Sequence, residues 1–99
     1  LGNKMPKKAA IFQNFPNPFN PNTVISYKLS VKSEVKLIVY DLLGREIAVL
    51  VNEVKNAGDY TVEWNGKNSS GQKAGSGVYF YQLKCNSGFS KTMKMILLN

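Results

Sequence analysis

Apolar and polar residues alternate along most of the chain with a period of two, which is typical of β-strands that bury one face. No stretch sustains the 3.6-residue period of an amphipathic helix. The pattern predicts about seven strands, at residues 11–15, 24–29, 34–40, 46–51, 59–64, 78–84 and 89–98. The apolar positions expected to face the interior include Ile25, Tyr27, Leu29, Val35, Leu37, Val39, Tyr60, Val62 and Trp64.

Turn-forming residues separate the predicted strands. Between Asp41 and Gly44 we predict a tight turn, because Asp suits the first position of a type I turn and Gly supplies a left-handed backbone at its end. A Gly-, Ser- and Asn-rich loop is expected at residues 65–77, and another turn at residues 86–88. Strands joined by short turns pair antiparallel, and two such sheets stack to bury their apolar faces. We therefore predict an all-β fold, an immunoglobulin-like antiparallel β-sandwich. The side chains expected at its centre are Trp64, Tyr79, Tyr81 and Leu83.

The length and composition fit one small domain. A chain of 99 residues, 43% of them hydrophobic, buries about two-thirds of its unfolded surface, which is enough for one sandwich core. We assign residues 1–10 to a linker or N-terminal extension and residues 11–99 to the domain. Residues 1–10 lack the apolar core and cleavage site of a secretory signal peptide. No apolar run approaches the roughly 18 residues of a membrane-spanning helix.

The types of residue present argue against catalysis. The chain has no histidine and one cysteine, so the usual base for activating a nucleophile is missing and a zinc site is excluded. We interpret Cys85 as a semi-buried structural residue at the end of a strand. The carboxylates occupy turns or outward strand positions, where nothing drives two pKa values apart as acid–base catalysis requires. We expect no enzyme activity, no metal and no cofactor.

The formal charge of +7 permits an acidic partner. The lysines are nevertheless scattered through strands and loops, which favours a solvated basic surface over a nucleic-acid site. Gly71, Gly75 and Gly77 precede a strand rather than a helix, so they do not form a phosphate-binding loop. We interpret the oxygen-rich segment 65–70 as a run of turn formers rather than as a weak calcium site.

Two segments are not explained by a plain sandwich. The segment from Asn14 to Pro21 contains three prolines, which remove backbone donors, hold the chain extended and would blunt a sheet edge. In the last segment, Lys91 and Lys94 are followed by a strongly apolar end at residues 95–98. Its simplest interpretation is the closing strand of the sandwich.

Four motifs occur in order along the chain. They are Asn14-Phe15-Pro16-Asn17-Pro18-Phe19-Asn20-Pro21, Val39-Tyr40-Asp41-Leu42-Leu43-Gly44-Arg45-Glu46, Gly75-Ser76-Gly77-Val78-Tyr79-Phe80-Tyr81 and Lys94-Met95-Ile96-Leu97-Leu98. In this combination the chain resembles the type A C-terminal sorting domain of the type IX secretion system, from about Ile11 to Asn99. The resemblance implies a non-catalytic module that follows a larger exported cargo protein. Such a protein crosses the periplasm, is recognised by outer-membrane machinery and ends up secreted or at the cell surface.

The resemblance also implies roles for particular residues. We hypothesise that the outer-membrane machinery recognises the last strand, by pairing with its edge, through Lys91, Lys94, Met95, Ile96, Leu97 and Leu98. The residues of the structural motifs are Pro16, Asn17, Pro18, Phe19, Asn20, Pro21, Asp41, Gly44, Trp64, Gly77 and Tyr79. The stretch from Lys4 to Ala10 would be the linker in which the precursor is cleaved.

Two alternatives remain open. The Trp64-Asn65-Gly66 sequence, followed by Gly71 and by Gly77-Val78-Tyr79, is similar to the immunoglobulin-like domain of flagellar hook-capping proteins, which would make the chain a structural assembly module. A carbohydrate-binding accessory domain of a secreted glycosidase is the other alternative, although the alternation directs most of the candidate sugar-stacking rings into the core. Those rings are Trp64, Tyr40, Tyr60, Tyr79 and Tyr81.

Overall fold

The computed structural model describes residues 8–99 as a sandwich of two antiparallel sheets. The strands are β1 (Ala9–Ile11), β2 (Thr23–Leu29), β3 (Ser33–Tyr40), β4 (Glu46–Lys55), β5 (Gly58–Trp64), β6 (Gly77–Cys85) and β7 (Ser90–Leu97). One sheet has the order β1-β2-β5 and the other the order β4-β3-β6-β7. The predicted all-β, immunoglobulin-like antiparallel sandwich is confirmed.

The core lies between the two sheets, and the residues predicted at its centre are buried there. Trp64 packs edge-on against Phe19 and Tyr79, with ring centroids 5.8 Å and 5.5 Å away. Its indole nitrogen donates a hydrogen bond to the Lys67 carbonyl at 2.9 Å, so the polar end of the ring is satisfied. Phe19 comes from the proline-rich segment, and that segment therefore contributes to the core rather than only preceding it.

The first strand differs from its predicted position. β1 begins at Ala9 because Ala9 and Ala10 pair with β2, opposite Leu29 and Lys28. Its predicted continuation to Phe15 is broken, since Phe15 meets β2 only at an isolated bridge. Of the predicted linker, residues 1–7 lie outside the described part of the chain.

The fourth strand is longer than the alternation indicates. β4 continues to Lys55, whereas the pattern predicts its end at Val51. Register shifts between β3 and β4 occur after Leu37 and after Val39. A bulge of this kind changes which residues of a strand face inward, so a strict period of two does not continue through it.

The prediction that the proline-rich segment is extended throughout is wrong. Residues 16–18 and 20–21 form bends between bridges at Phe15 and Phe19. The Pro16 carbonyl accepts hydrogen bonds from the Asn14 side chain at 3.1 Å and from the Thr23 hydroxyl at 2.8 Å. These two buried side chains also bond each other at 2.9 Å. Local polar contacts therefore fold the segment back on itself, against the extended preference of residues that precede proline.

A hydroxyl in the core joins the first segment to β6. Tyr81 is fully buried, and its hydroxyl donates to the Phe12 carbonyl at 2.7 Å and accepts from the Asn14 amide at 2.8 Å. Burial raises the pKa of Tyr81 to about 12, so the phenol stays protonated and able to donate. The hydroxyl satisfies two backbone groups at the point where β1 ends.

We expect Tyr81→Phe to lower the free energy of unfolding by about 1 to 3 kcal/mol, because both backbone groups lose their partner without a new one. Urea unfolding followed by circular dichroism measures this. Tyr40→Phe is the matched control, since Tyr40 lies half-buried at the sheet surface. Equal free energies for Tyr81→Phe and the unaltered protein would show that water replaces the hydroxyl at no cost.

The predicted turn after β3 is confirmed in its hydrogen bonds. The Asp41 carboxylate accepts from the backbone amides of Leu43 and Arg45, each at 2.9 Å, and Arg45 Nε lies 2.7 Å from its second oxygen. Gly44 has a φ of +83°, the left-handed conformation that favours glycine. The Arg45 amide above all, helped by its guanidinium and the Leu43 amide, holds the pKa of Asp41 below its usual value, against an opposing effect of burial.

A lowered pKa in the folded state means that Asp41 stabilises the fold above its unfolded pKa of about 3.9 and loses that effect as the pH falls through the folded value. We therefore expect Asp41→Asn to reduce the unfolding free energy near pH 7, and the difference from the unaltered protein to shrink towards about pH 3. Urea titrations at both pH values measure it. Asp59→Asn serves as the control, because Asp59 is 81% exposed and 3.9 Å from Lys28. A difference that is independent of pH would contradict the role of the carboxylate.

Candidate functional site

The hypothesised recognition residues of the last segment differ in burial. Ile96 is half-buried, and Leu98, which follows β7, is 50% exposed. Met95 and Leu97 are fully buried in the core at 0% exposure, so they hold the strand in place. Lys91 and Lys94 are exposed. No ion pair within residues 8–99 involves either lysine. The strand thus exposes two lysines without ion-pair partners among residues 8–99, on a backbone that the buried Met95 and Leu97 hold against the core.

The proline-rich segment lies against the free edge of β7. Phe19 forms a parallel bridge with Leu97. The Phe19 amide donates to the Ile96 carbonyl at 3.0 Å, and the Phe19 carbonyl accepts from the Leu98 amide at 2.8 Å. The two segments that a plain sandwich left unexplained are therefore in direct contact.

Two side chains extend this contact. Asn17 accepts a hydrogen bond from the Ile96 amide at 2.9 Å, and Gln13 donates to the Lys94 carbonyl at 2.8 Å. These side-chain atoms thereby satisfy backbone groups of β7 that have no partner strand. Sequence reasoning predicted that the prolines blunt a sheet edge but missed that the edge is the C-terminal half of β7.

The N-terminal half of the same edge is open. The Ile96 amide and the Lys94 carbonyl bond residues 13–17 and therefore point away from β6. In an antiparallel strand, the backbone groups of every second residue point to the same side. By this alternation, the backbone groups of Ser90 and Thr92 also face outward. Between residues 8 and 99, no backbone hydrogen bond to this stretch comes from a neighbouring segment. A short length of unpaired strand edge is therefore available to another chain.

The loop after β5 approaches the proline-rich segment from the other side. Gly66 has a φ of +75°, and a Cβ atom at this position would lie 3.0 Å from the Pro21 carbonyl oxygen. Glycine is required here both for the conformation and for the close approach. A 330 Å³ cleft lies at this junction. Its lining residues are Asn20, Pro21, Asn65, Gly66, Lys67, Lys73 and Asn99.

Three of the motif residues meet at a second cleft. Asp41, Gly77 and Tyr79 line a shallow 270 Å³ depression at the end of the β4-β3-β6-β7 sheet. The Tyr79 hydroxyl donates to the Gly75 carbonyl at 2.7 Å, which fixes the start of β6. Leu42 and Leu43, which are 68% and 76% exposed, also line it, together with Arg45, Ser76 and Val78.

The candidate sugar-stacking rings do not come together at the surface. Trp64, Tyr79 and Tyr81 are in the core. Tyr60 is half-buried and stacks on Tyr27, with ring centroids 5.2 Å apart. Tyr40 lies on the outer side of the other sheet, since it follows the buried Val39.

Groups with catalytic potential are dispersed. Cys85 is buried, and this desolvation raises the pKa of its thiol, so the reactive thiolate is disfavoured. In the part of the chain that the structure describes, no group of three His, Cys, Asp or Glu side chains is placed to hold a metal ion. The same residues contain no helix that could cross a membrane.

Comparison with known proteins identifies relatives of this fold. The family model of the FlgD Ig-like domain matches residues 21–88. No curated protein matches the chain. Among solved structures, latent PorU from Porphyromonas gingivalis is similar with a TM-score of 0.74 and 23% sequence identity, over 91% of this chain and 9% of that chain.

Two further structures share the fold. PorZ, described as an essential surface component of the type IX secretion system of Porphyromonas gingivalis, has a TM-score of 0.61 and 21% identity, over 92% of this chain and 11% of that one. FlgD from P. aeruginosa has a TM-score of 0.59 and 22% identity, over 91% of this chain and 73% of that one. The chain thus spans only a small part of the PorU and PorZ chains. Since the FlgD Ig-like model matches well over half of its residues, this chain belongs to the FlgD Ig-like domain family.

Proposed function

We propose that this domain is a non-catalytic sorting module that directs a larger exported protein through the type IX secretion system to the cell surface or medium. The observation that supports it best is the construction of β7, in which buried Met95 and Leu97 fix a strand whose lysines and partly open edge face solvent. The similarity of fold to PorU and PorZ agrees with this role. The absence of histidine and the buried thiol agree with a module that performs no chemistry.

Recognition by the outer-membrane machinery would use the open edge of β7. An unpaired edge can accept a strand from a partner through backbone hydrogen bonds, while neighbouring side chains provide specificity. Ser90 and Thr92 offer the backbone groups, and Lys91 and Lys94 lie beside them. The C-terminal half of the strand is already covered by Phe19 and Asn17, so a partner strand would be confined to the first half.

The test is export of a reporter. The whole 99-residue chain is fused behind a reporter protein that is delivered to the periplasm of a host with type IX secretion. We expect the fused reporter in the medium or on the cell surface and the unfused reporter in the periplasm. Retention of both in the periplasm would refute the sorting role.

Within this proposal, Lys91→Ala combined with Lys94→Ala should lower export. A loss of about 1.4 kcal/mol of binding free energy between the domain and the outer-membrane machinery would reduce the affinity about tenfold. Both lysines are exposed, so the unfolding free energy should change by less than about 0.5 kcal/mol. The matched control is Lys67→Ala with Lys73→Ala, which removes the same charge from the loop after β5. Equal export of both double variants would eliminate the β7 lysines as recognition residues.

A structural assembly module is the second candidate, and the FlgD family match favours it. Such a module should associate with copies of itself or with filament components. Light scattering on the purified domain, read together with the export test, examines this candidate, because an assembly module is expected to associate. A stable oligomer together with failed export would favour assembly.

A further inference from the structure

The outer side of the β4-β3-β6-β7 sheet is unusually apolar. Residues directly opposite each other on neighbouring strands share a face. Tyr40 lies opposite Phe80, and Val78 lies opposite Ile96. We define the outer face as six apolar side chains that this register places in one group on the solvent side, while Val54 lies apart from them, opposite Glu34. The six are Ile38, Tyr40, Val49, Val78, Phe80 and Ile96.

These side chains are not part of the core. Val49 is 43% exposed and the others are half-buried, whereas the alternate residues of the same strands are buried between the sheets. The partly buried apolar residues that do pack against the core are different ones. They are Ile47, Leu50, Tyr60, Val62, Phe89 and Met93. An antiparallel sheet with one solvated face normally carries polar residues there, so a contiguous apolar surface indicates a binding site.

The outer face continues into the shallow cleft at the end of the sheet. Val78 belongs to the face and also lines that 270 Å³ cleft. Leu42 and Leu43, at the tip of the turn after β3, are largely exposed on its other side. A partner lying on the sheet would therefore meet, at one end, a depression in which apolar Leu42, Leu43 and Val78 lie beside polar Asp41, Arg45 and Ser76.

Charge at the other end of the face indicates the chemistry of the partner. Lys36 on β3 lies directly opposite Lys84 on β6, and both are exposed. Like charges in this position destabilise a sheet. No ion pair in the described chain compensates either lysine. A third cation, Lys94, lies opposite Phe80, nearer the end of the face that carries the cleft.

Two carboxylates lie on this side of the sheet, and neither is on β6 or β7. Glu34, on β3, lines the same cleft as Lys36 and Lys84, and Glu46 is on β4. The β6–β7 half therefore has only cations, in a chain whose net charge is already +7. A second copy of the chain packed on this half through a two-fold axis would bring like charges together, which disfavours self-association.

We infer that the outer face is a second docking surface, an inference that rests on the proposed sorting role. It binds a protein surface of the export machinery that is acidic and has an apolar centre. Carboxylates of the partner would lie against Lys84 and Lys94, and its apolar side chains against Tyr40 and Phe80. Complementary charge would set the orientation, and the aromatic centre would supply affinity. The contact is separate from strand pairing at Ser90 and Thr92.

The experiment compares reporter export by the unaltered fusion with that by Lys84→Glu. This change turns the directly opposed like-charge pair with Lys36 into a complementary one. Glu34 in the same cleft offsets part of that gain, so the fold should be about as stable, while an acidic partner should be repelled. We expect export to fall at least about fivefold with an unchanged or higher urea midpoint. Lys67→Glu, with the same change of charge in the loop after β5, should export normally.

A second variant tests the apolar centre. Tyr40→Thr with Phe80→Thr retains side chains that favour β-strands and should also lower export, with folding checked by circular dichroism. Normal export by both Lys84→Glu and the threonine variant would overturn the inference while leaving the sorting role intact. Retention of the unaltered fusion in the periplasm would refute the sorting role and the inference together. If the purified domain forms dimers that Phe80→Thr dissociates, the face binds a second copy and the acidic-partner inference is wrong.

Discussion

Deleting residues 95–99 is expected to unfold the domain, not merely to remove a recognition signal. Met95 and Leu97 are fully buried, and loss of each buried side chain of this size costs about 2 to 5 kcal/mol. The deletion also removes the Ile96 and Leu98 backbone groups that bond Phe19. Together these losses approach the entire stability of a small domain, about 5 to 15 kcal/mol.

Urea unfolding of the truncated chain, followed by circular dichroism, should show no cooperative transition. Met95→Leu is the matched control, because a swap that conserves volume costs less than about 1.5 kcal/mol. A cooperative transition near the midpoint of the full chain would show that the end of β7 does not support the core. For this reason, export defects caused by truncation do not locate the recognised residues, and point changes at Lys91 and Lys94 are needed.

Trp64→Ala should lower the free energy of unfolding by about 3 to 5 kcal/mol. Trp64 is the largest fully buried side chain, and it contacts both Phe19 and Tyr79. Its removal leaves a cavity between the sheets and leaves the Lys67 carbonyl without its indole donor. The effect should reach β7 as well, because Phe19 pairs with that strand.

Trp64→Phe separates the packing from the hydrogen bond. Phenylalanine keeps an aromatic ring between Phe19 and Tyr79 but cannot donate to Lys67, so a smaller loss is expected than for alanine. The chain has one tryptophan, so both variants lose the tryptophan fluorescence signal. The unfolding must therefore be followed by far-ultraviolet circular dichroism. Equal losses for Trp64→Ala and Trp64→Phe would place the stabilisation in the hydrogen bond rather than in the packing.

The sequence pattern predicted the sandwich because apolar and polar residues must alternate along a strand that buries one face. Ile25, Tyr27 and Leu29 are buried as their spacing indicates, and the Asp41 turn has the hydrogen bonds that its residues favour. The contact of Phe19 and Asn17 with Ile96 was missed. It joins residues nearly eighty positions apart, and no local period encodes which sheet edge a bent segment will cover.

The outer face was missed for a different reason. The alternation assigns the buried positions of β3, such as Leu37 and Val39, to the core, but it assigns no function to their neighbours Ile38 and Tyr40. The continuous apolar run from Leu37 to Tyr40 was the available signal, because such a run is typical of a strand covered on both sides. In this chain one side meets the core, and the other is the surface for which we infer a partner.

Dependence of export on the translocation machinery tests the central claim most directly. The full-chain reporter fusion is expressed in two otherwise identical hosts, one with the type IX outer-membrane translocon and one without it, and surface and secreted reporter are measured in both. We expect the fused reporter outside the cell only in the host with the translocon, and in the periplasm of the other. Equal amounts outside both hosts, or none outside either, would contradict a sorting function for this domain.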